Sequence, residues 1–466
     1  MINTGDTAWV LAGAALVMLM TPGLAFFYGG MVRSKSVLNM LMMNFICLAI
    51  IGVLWTLYGY SWAFGNDAFG GLVGGDEFAG LGKTIGHMVG AAASGPPPVP
   101  WPGPDALPAL AFVMFQLMFA VITPALISGA IADRTKFLSW ALFVILWATI
   151  VYFPVAHWVF SFDGFTGVNS HGGWIANTLK AEDFAGGTAV HINAGSAGFA
   201  LALVLGRRKG WPRDHIRPHN LPFVLLGASL LWFGWYGFNA GSALSASDLA
   251  GVAFTNTTVA TCSAVLGWLL VEQLRDGKPT TLGAASGAVA GLVAITPACG
   301  FVSPLGGIAI GLIAGAVCAL SVSVKYKFGF DDSLDVVGVH LVGGLIGTLL
   351  IGFFGTKNVN PAALGDDGLF YGGGLTQLGR QAIAAFAVMG YSFLVALVIG
   401  MVIKHTIGFR VDPEEETSGI DEAEHAESGY DFSALGAMAT SGLAHYNLGG
   451  ADKVGAATSS TGAKED

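Results

Sequence analysis

Eleven long apolar runs, parted by short polar or Gly/Pro breaks, constrain this chain more than any other feature. They fall near 8–31, 37–65, 108–131, 137–160, 184–205, 221–240, 251–272, 282–299, 305–325, 335–355 and 381–403. A helix needs about 20 apolar residues to cross a bilayer, and within lipid its backbone polar groups must be satisfied internally. A chain built this way is expected to fold as an all-α polytopic membrane protein. Composition agrees: 11% of its residues are charged and 54% hydrophobic, against about 25% charged in soluble domains. The leader Met1-Ile-Asn-Thr-Gly-Asp6 has no Lys or Arg, which argues that the first run is retained and not cleaved as a signal.

Basic residues orient the runs. With the Arg33/Lys35 loop in the cytoplasm, alternate loops place 14 basic residues inside, and Lys83, Lys180, Lys357 and Arg380 outside. The positive-inside rule then predicts a multi-pass protein of the plasma membrane with its N-terminus outside and its C-terminus cytoplasmic. The net charge of −9 belongs to the tail: residues 405–466 hold 12 acids and three bases, and the rest of the chain holds 18 of each. Two domains follow, a transmembrane domain over 1–404 and an acidic cytoplasmic tail over 405–466, with disorder expected beyond about 432. Nucleic acid is not an expected partner. Cys47, Cys262, Cys299 and Cys318 show no paired spacing, so neither a disulfide frame nor a metal site is expected.

Two short echoes suggest internal symmetry. Val190-His191-Ile-Asn-Ala-Gly195 resembles Val339-His340-Leu-Val-Gly-Gly344, and Phe27-Tyr28-Gly-Gly30 resembles Trp235-Tyr236-Gly237. Each pair lies five runs apart, an odd number, so its members cross the membrane in opposite directions. Such a pattern predicts two inverted five-helix repeats plus a final helix, with a site near the midplane.

Ionisable groups inside a span are costly and mark function by default. His191 and His340 sit at equivalent places in the two halves, where facing imidazoles could share a proton. Competing readings are two unrelated core histidines and a bis-histidine haem. Asp183 and Asp335 precede them; as carboxylates they could order a cation site or cap a helix start. Phe115 and Phe119 in the third run, and Trp235 and Phe238 in the sixth, offer ring faces that attract cations or that merely pack helices. Walker, dinucleotide-binding, His-Glu-x-x-His and nucleophile-elbow motifs are missing from the sequence. An ATP-driven machine or an enzyme is therefore not expected, and neither is a cofactor.

Taken together, these motifs resemble the ammonium transporter family (Amt/MEP/Rh), of the bacterial Amt type. The matching strings begin with Thr21-Pro-Gly-Leu-Ala-Phe-Phe-Tyr-Gly-Gly30, Phe115-Gln-Leu-Met-Phe119 and Ile122-Thr-Pro-Ala-Leu-Ile-Ser-Gly129. They continue with Asp183-Phe-Ala-Gly-Gly-Thr-Ala-Val-His-Ile-Asn193, Gly237-Phe-Asn-Ala-Gly-Ser242, Ile295-Thr-Pro-Ala-Cys-Gly300 and Asp335-Val-Val-Gly-Val-His340. The resemblance implies eleven helices in a homotrimer with one pore per subunit. It implies that Phe119 and Phe238 form a gate with Phe115, Tyr28 and Trp235 nearby, that His191 and His340 are twin pore histidines, and that Thr296 lies beside the pore. It also implies that Ser242 accepts a hydrogen bond from recruited ammonium and that Asp183 supports recruitment and deprotonation.

Two departures from the family pattern matter. Where many members carry a second Trp in Ala-His-Trp-Val-Trp, this chain has Phe160, so either Phe160 or Trp174 is expected to supply the vestibule ring. In the tail, Ala423 stands where plant members place a phosphorylatable Thr. The resemblance further suggests an intersubunit regulatory contact up to about Phe432 and a PII-type signalling protein as a possible partner. An ammonium sensor on the same fold is the alternative to a transporter.

Overall fold

The computed structural model describes residues 2–90, 107–167, 169–212 and 217–431. The disorder expected beyond about 432, and the Pro-rich centre of the 66–107 loop, lie outside the described residues. Among the described residues, ten helices are long and apolar enough to span a membrane: α1 Thr4–Met31, α2 Val37–Phe64, α3 Ala109–Ile131, α4 Phe137–Phe160, α5 Gly187–Leu205, α6 Leu221–Ala243, α7 Asp248–Asp276, α9 Pro304–Phe328, α10 Val337–Phe354 and α11 Thr376–Thr406. The remaining expected run, the eighth, forms α8, Thr281–Ile295, a shorter apolar helix of 15 residues. The chain is a polytopic helical membrane protein.

Helix starts follow local chemistry. Asn3, Asn220, Thr280 and Ser303 accept hydrogen bonds through their side chains from the backbone N–H three residues on, at the starts of α1, α6, α8 and α9. Each bond satisfies a donor that the helix itself leaves unpaired. Proline follows two residues after Asn220 and directly after Ser303, where its missing N–H costs nothing.

Glycine sets the closest helix crossings. The α1–α6 interface is the most extensive in the molecule. A Cβ on Gly237 would meet Gly13 O at 2.6 Å, and one on Gly234 would meet Leu16 O at 2.6 Å. The α5–α10 crossing is equally tight. Gly195 lies four residues after His191 and Gly344 four after His340; a Cβ on Gly195 would strike Leu341, and one on Gly344 would sit 3.1 Å from the His191 Cβ. This reciprocal pattern is the small-residue packing of membrane helices, applied twice with opposite polarity.

The tail returns to the body. Two short helices, α12 (Pro413–Ser418) and α13 (Ile420–His425), lie against the loops at the end where α11 finishes. Asp421 accepts hydrogen bonds from the Leu38 and Asn39 N–H groups at 3.0 and 2.8 Å. Ser36, at the start of α2, makes no side-chain cap, so a tail carboxylate takes that role. Glu416 is buried, accepts from Lys209 N at 2.6 Å and pairs with Arg410 at 2.6 Å.

Candidate functional site

Two chambers lie on one line between α1, α3, α5, α6 and α10, separated by a pair of rings. At the end remote from the tail, a narrow cleft is lined by Phe112, Gln116, Phe119, Phe160, Phe162, Phe165, Phe184, Ser242 and Leu244. Below it, the Phe119 and Phe238 rings stand 4.2 Å apart, and Phe115 backs Phe119 at 5.0 Å. The second chamber is apolar except for His191, His340 and the Trp235 edge, with Met20, Leu24, Ile122 and Val289 among its walls. Phe119 lines the first chamber and Phe238 the second, so this ring pair closes the path between them.

The histidines face each other across α5 and α10. Their rings are 5.4 Å apart, with planes 23° from parallel, and their Nδ1 atoms are 3.4 Å apart. Trp235 stacks on His191 at 5.4 Å. Its indole N–H donates to Thr296 Oγ1 at 2.8 Å, and that hydroxyl donates to Leu292 O at 2.7 Å, which fixes the indole plane. His191 Nε2 is buried without a hydrogen-bond partner among the described residues.

Backbone geometry presents these rings. His191 lies in a π-helical turn, Gly187–Ile192, and His340 in another, Val337–Leu341; such wide turns recur at functional sites. Asp183 anchors the first. Its carboxylate accepts from the N–H groups of Gly186, Gly187 and Thr188, each at 2.7 Å, and of Ala189 at 3.2 Å. Burial pushes this carboxyl above its usual range, although the four donors pull it down. Asp183 is thus held by the helix start and does not line the cleft.

The counterpart of Asp183 in the second half is Asp332, not Asp335. Asp332 accepts from Val336 N at 3.1 Å and Val337 N at 2.7 Å. Asp335 is turned outward, with φ +63° and an ion pair to Lys325 at 2.6 Å. The spacing could have shown this, because Asp183 and Asp332 each precede their histidine by eight residues.

Other expected residues divide cleanly. Ser242 and Phe160 line the cleft, and the Ser242 hydroxyl donates to Phe238 O at 2.7 Å. Trp174 instead packs on Trp158 at 5.9 Å, beside Gly71. Tyr28 is not near the ring pair: it sits one helical turn past Leu24 toward the tail end, covers Gly129, and donates to Leu126 O at 3.1 Å. The heptad from Thr21 to Tyr28 carries it two turns down α1, out of reach of the gate. Gln116 and Phe184 were visible in the motif strings without being singled out; Phe162 and Phe165 come from a loop with no periodic signal.

With this geometry in view, comparison with known proteins is decisive. The model of the Ammonium Transporter Family matches residues 8–430. The chain belongs to the ammonium transporter family. It is 62% identical over 436 residues to an ammonium transporter of Mycobacterium bovis, covering 92% of this chain and 90% of that protein. It is 47% identical to an ammonium transporter of Bacillus subtilis, covering 92% and 99%. Among solved structures, Saccharomyces cerevisiae Mep2 is similar with a TM-score of 0.78 and 32% identity, over 89% of this chain and 88% of that one. A protein described as a Sensor Amt Protein is similar with a TM-score of 0.79 and 29% identity, over 90% and 98%.

Proposed function

We propose that this ammonium transporter family member carries ammonium into the cell by splitting it into ammonia and a proton at the ring pair. A bare cation cannot enter an apolar chamber cheaply. The aromatic cleft holds the cation through ring faces and the Ser242 oxygen; beyond the Phe119–Phe238 pair, ammonia passes as a neutral molecule. His191 and His340 then give ammonia hydrogen-bonding partners and the proton a relay. Potassium, of similar size, has no proton to shed, so the same scheme supplies selectivity. The observation that carries this reading is the facing imidazole pair in a closed apolar chamber beneath the rings.

The proposal extends to the assembly: a homotrimer with a pore in each subunit, N-terminus outside, and a cytoplasmic tail over 405–466 that regulates uptake, with a PII-type protein as its partner. The test is reconstitution in liposomes, an ammonium pulse, and simultaneous recording of current and internal pH. Ammonium-dependent current with the matching pH change is expected; alkalinisation without current would replace ion uptake with gas-like passage. The similarity to a Sensor Amt Protein supports a second reading, a sensor with weak transport, which flux near background together with ammonium binding would favour.

A further inference from the structure

Outside the two chambers, one fully buried side chain ties both histidine-bearing helices together. Gln381, on α11, is 0% exposed. Its carboxamide pairs with the backbone of residue 182 on both sides: Glu182 N–H donates to Gln381 Oε1 at 2.7 Å, and Gln381 Nε2 donates to Glu182 O at 2.7 Å. The same Nε2 donates to Thr348 O on α10 at 3.2 Å, and Gln377 Nε2 donates to Oε1 at 3.0 Å. Residue 182 directly precedes Asp183, which holds the turn bearing His191; Thr348 lies two turns beyond His340 on α10.

We infer that Gln381 is a positioning residue for the pore, a brace that sets the His191 turn and α10 at a fixed separation. The inference rests on the transport reading above. Its chemical content is specific: the position needs one acceptor facing an N–H and a donor facing two carbonyls, which a carboxamide supplies and an alkyl chain of equal size does not. Phe184, two residues on from Glu182, lines the cleft, so the brace also borders the recruitment chamber, while its bond to Thr348 ties it to the helix that carries His340.

The test uses full-length protein in liposomes with Gln381→Leu and Gln381→Glu, with ammonium flux and backbone hydrogen exchange over residues 186–191 measured together. For Gln381→Leu, maximal flux should fall about tenfold or more, the order expected from misplacement at a reacting site. Exchange over 186–191 should speed up. A glutamate at 381 would face the Glu182 and Thr348 carbonyls, with Glu182, Asp183 and Arg380 close by and Asp366 paired to Arg380 at 2.8 Å. Only its protonated form restores a donor, so flux relative to wild type should recover as the pH is lowered. Wild-type flux and exchange in Gln381→Leu would overturn the inference. If that variant fails to fold, a pH-independent flux ratio for Gln381→Glu would overturn it instead. Were the wild type itself inert, the transport reading would fall, and unchanged exchange would sink the brace separately.

Discussion

His191 and His340 each keep an imidazole where lipid or a leucine would be cheaper, and the second chamber explains why. Each ring offers one donor and one acceptor; with the Nδ1 atoms 3.4 Å apart, the remaining edges can serve a small polar molecule. Replacing both with leucine is expected to reduce ammonium-driven current to background while the protein still inserts, as judged by size-exclusion profile. Current at the wild-type level in that double variant would rule out the relay. At the cleft, Phe160 stands on the lining and Trp174 does not. A cation–π contact contributes about 0.5–2 kcal/mol, so Phe160→Ala should raise KM by a factor of about 2 to 30. Trp174→Ala should leave KM unchanged, and a uptake titration separates the two.

Helix starts and crossings form the next level. Asp183 and Asp332 lie eight residues before their histidines and bind the N–H groups of the turns that follow. Losing such a cap costs about 0.5–2 kcal/mol. Asp332→Ala should therefore lower thermal stability by a few degrees and cut flux, because the turn it holds carries His340. Gly344 makes a second prediction. A side chain there would press on the His191 Cβ and Gly187 O, each 3.1 Å from an added Cβ. Overpacking of this kind costs about 1–3 kcal/mol, so Gly344→Val should widen the α5–α10 crossing and abolish flux with ammonium binding intact. Unchanged flux in that variant would show that the crossing tolerates separation.

For the whole molecule, four loops meet at one buried ionic cluster, and the tail docks on it through Val411 N–H, which donates to Arg134 O at 3.1 Å. Arg208 binds Asp331 at 2.9 Å and Asp133 at 3.3 Å, Arg33 approaches Asp133 at 3.5 Å, and Arg134 donates to Asp331 O at 2.6 Å. Burial raises the Asp331 carboxyl, but Arg208 and Arg134 outweigh it and hold the group below its usual range. A carboxyl depressed on folding adds stability that is complete above its unfolded value of about 3.9 and lost as pH falls through the lower folded value. Asp331→Asn is therefore expected to be less stable than wild type at pH 7 and to converge on it below about pH 4, in thermal unfolding followed across that range. Tail docking has its own test: Asp421→Ala removes the bonds to Leu38 and Asn39 and should speed proteolysis of residues 407–431.

The apolar runs and their order determined the helices, because a segment that enters lipid must satisfy its own backbone and so declares itself by composition. The twin histidines, the ring pair and the glycines four residues after each histidine were legible for a related reason: each departs from what an apolar helix would otherwise carry. The match of Asp332 to Asp183 was legible in the same way, in the eight-residue spacing to each histidine. Tertiary structure alone decided that Phe160 and not Trp174 lines the cleft, and that Tyr28 sits away from the gate. It alone brought Gln381 to residue 182 and Asp421 to α2. Those choices depend on which face of a helix meets which neighbour hundreds of residues away, and a periodic pattern along one segment carries no record of that pairing.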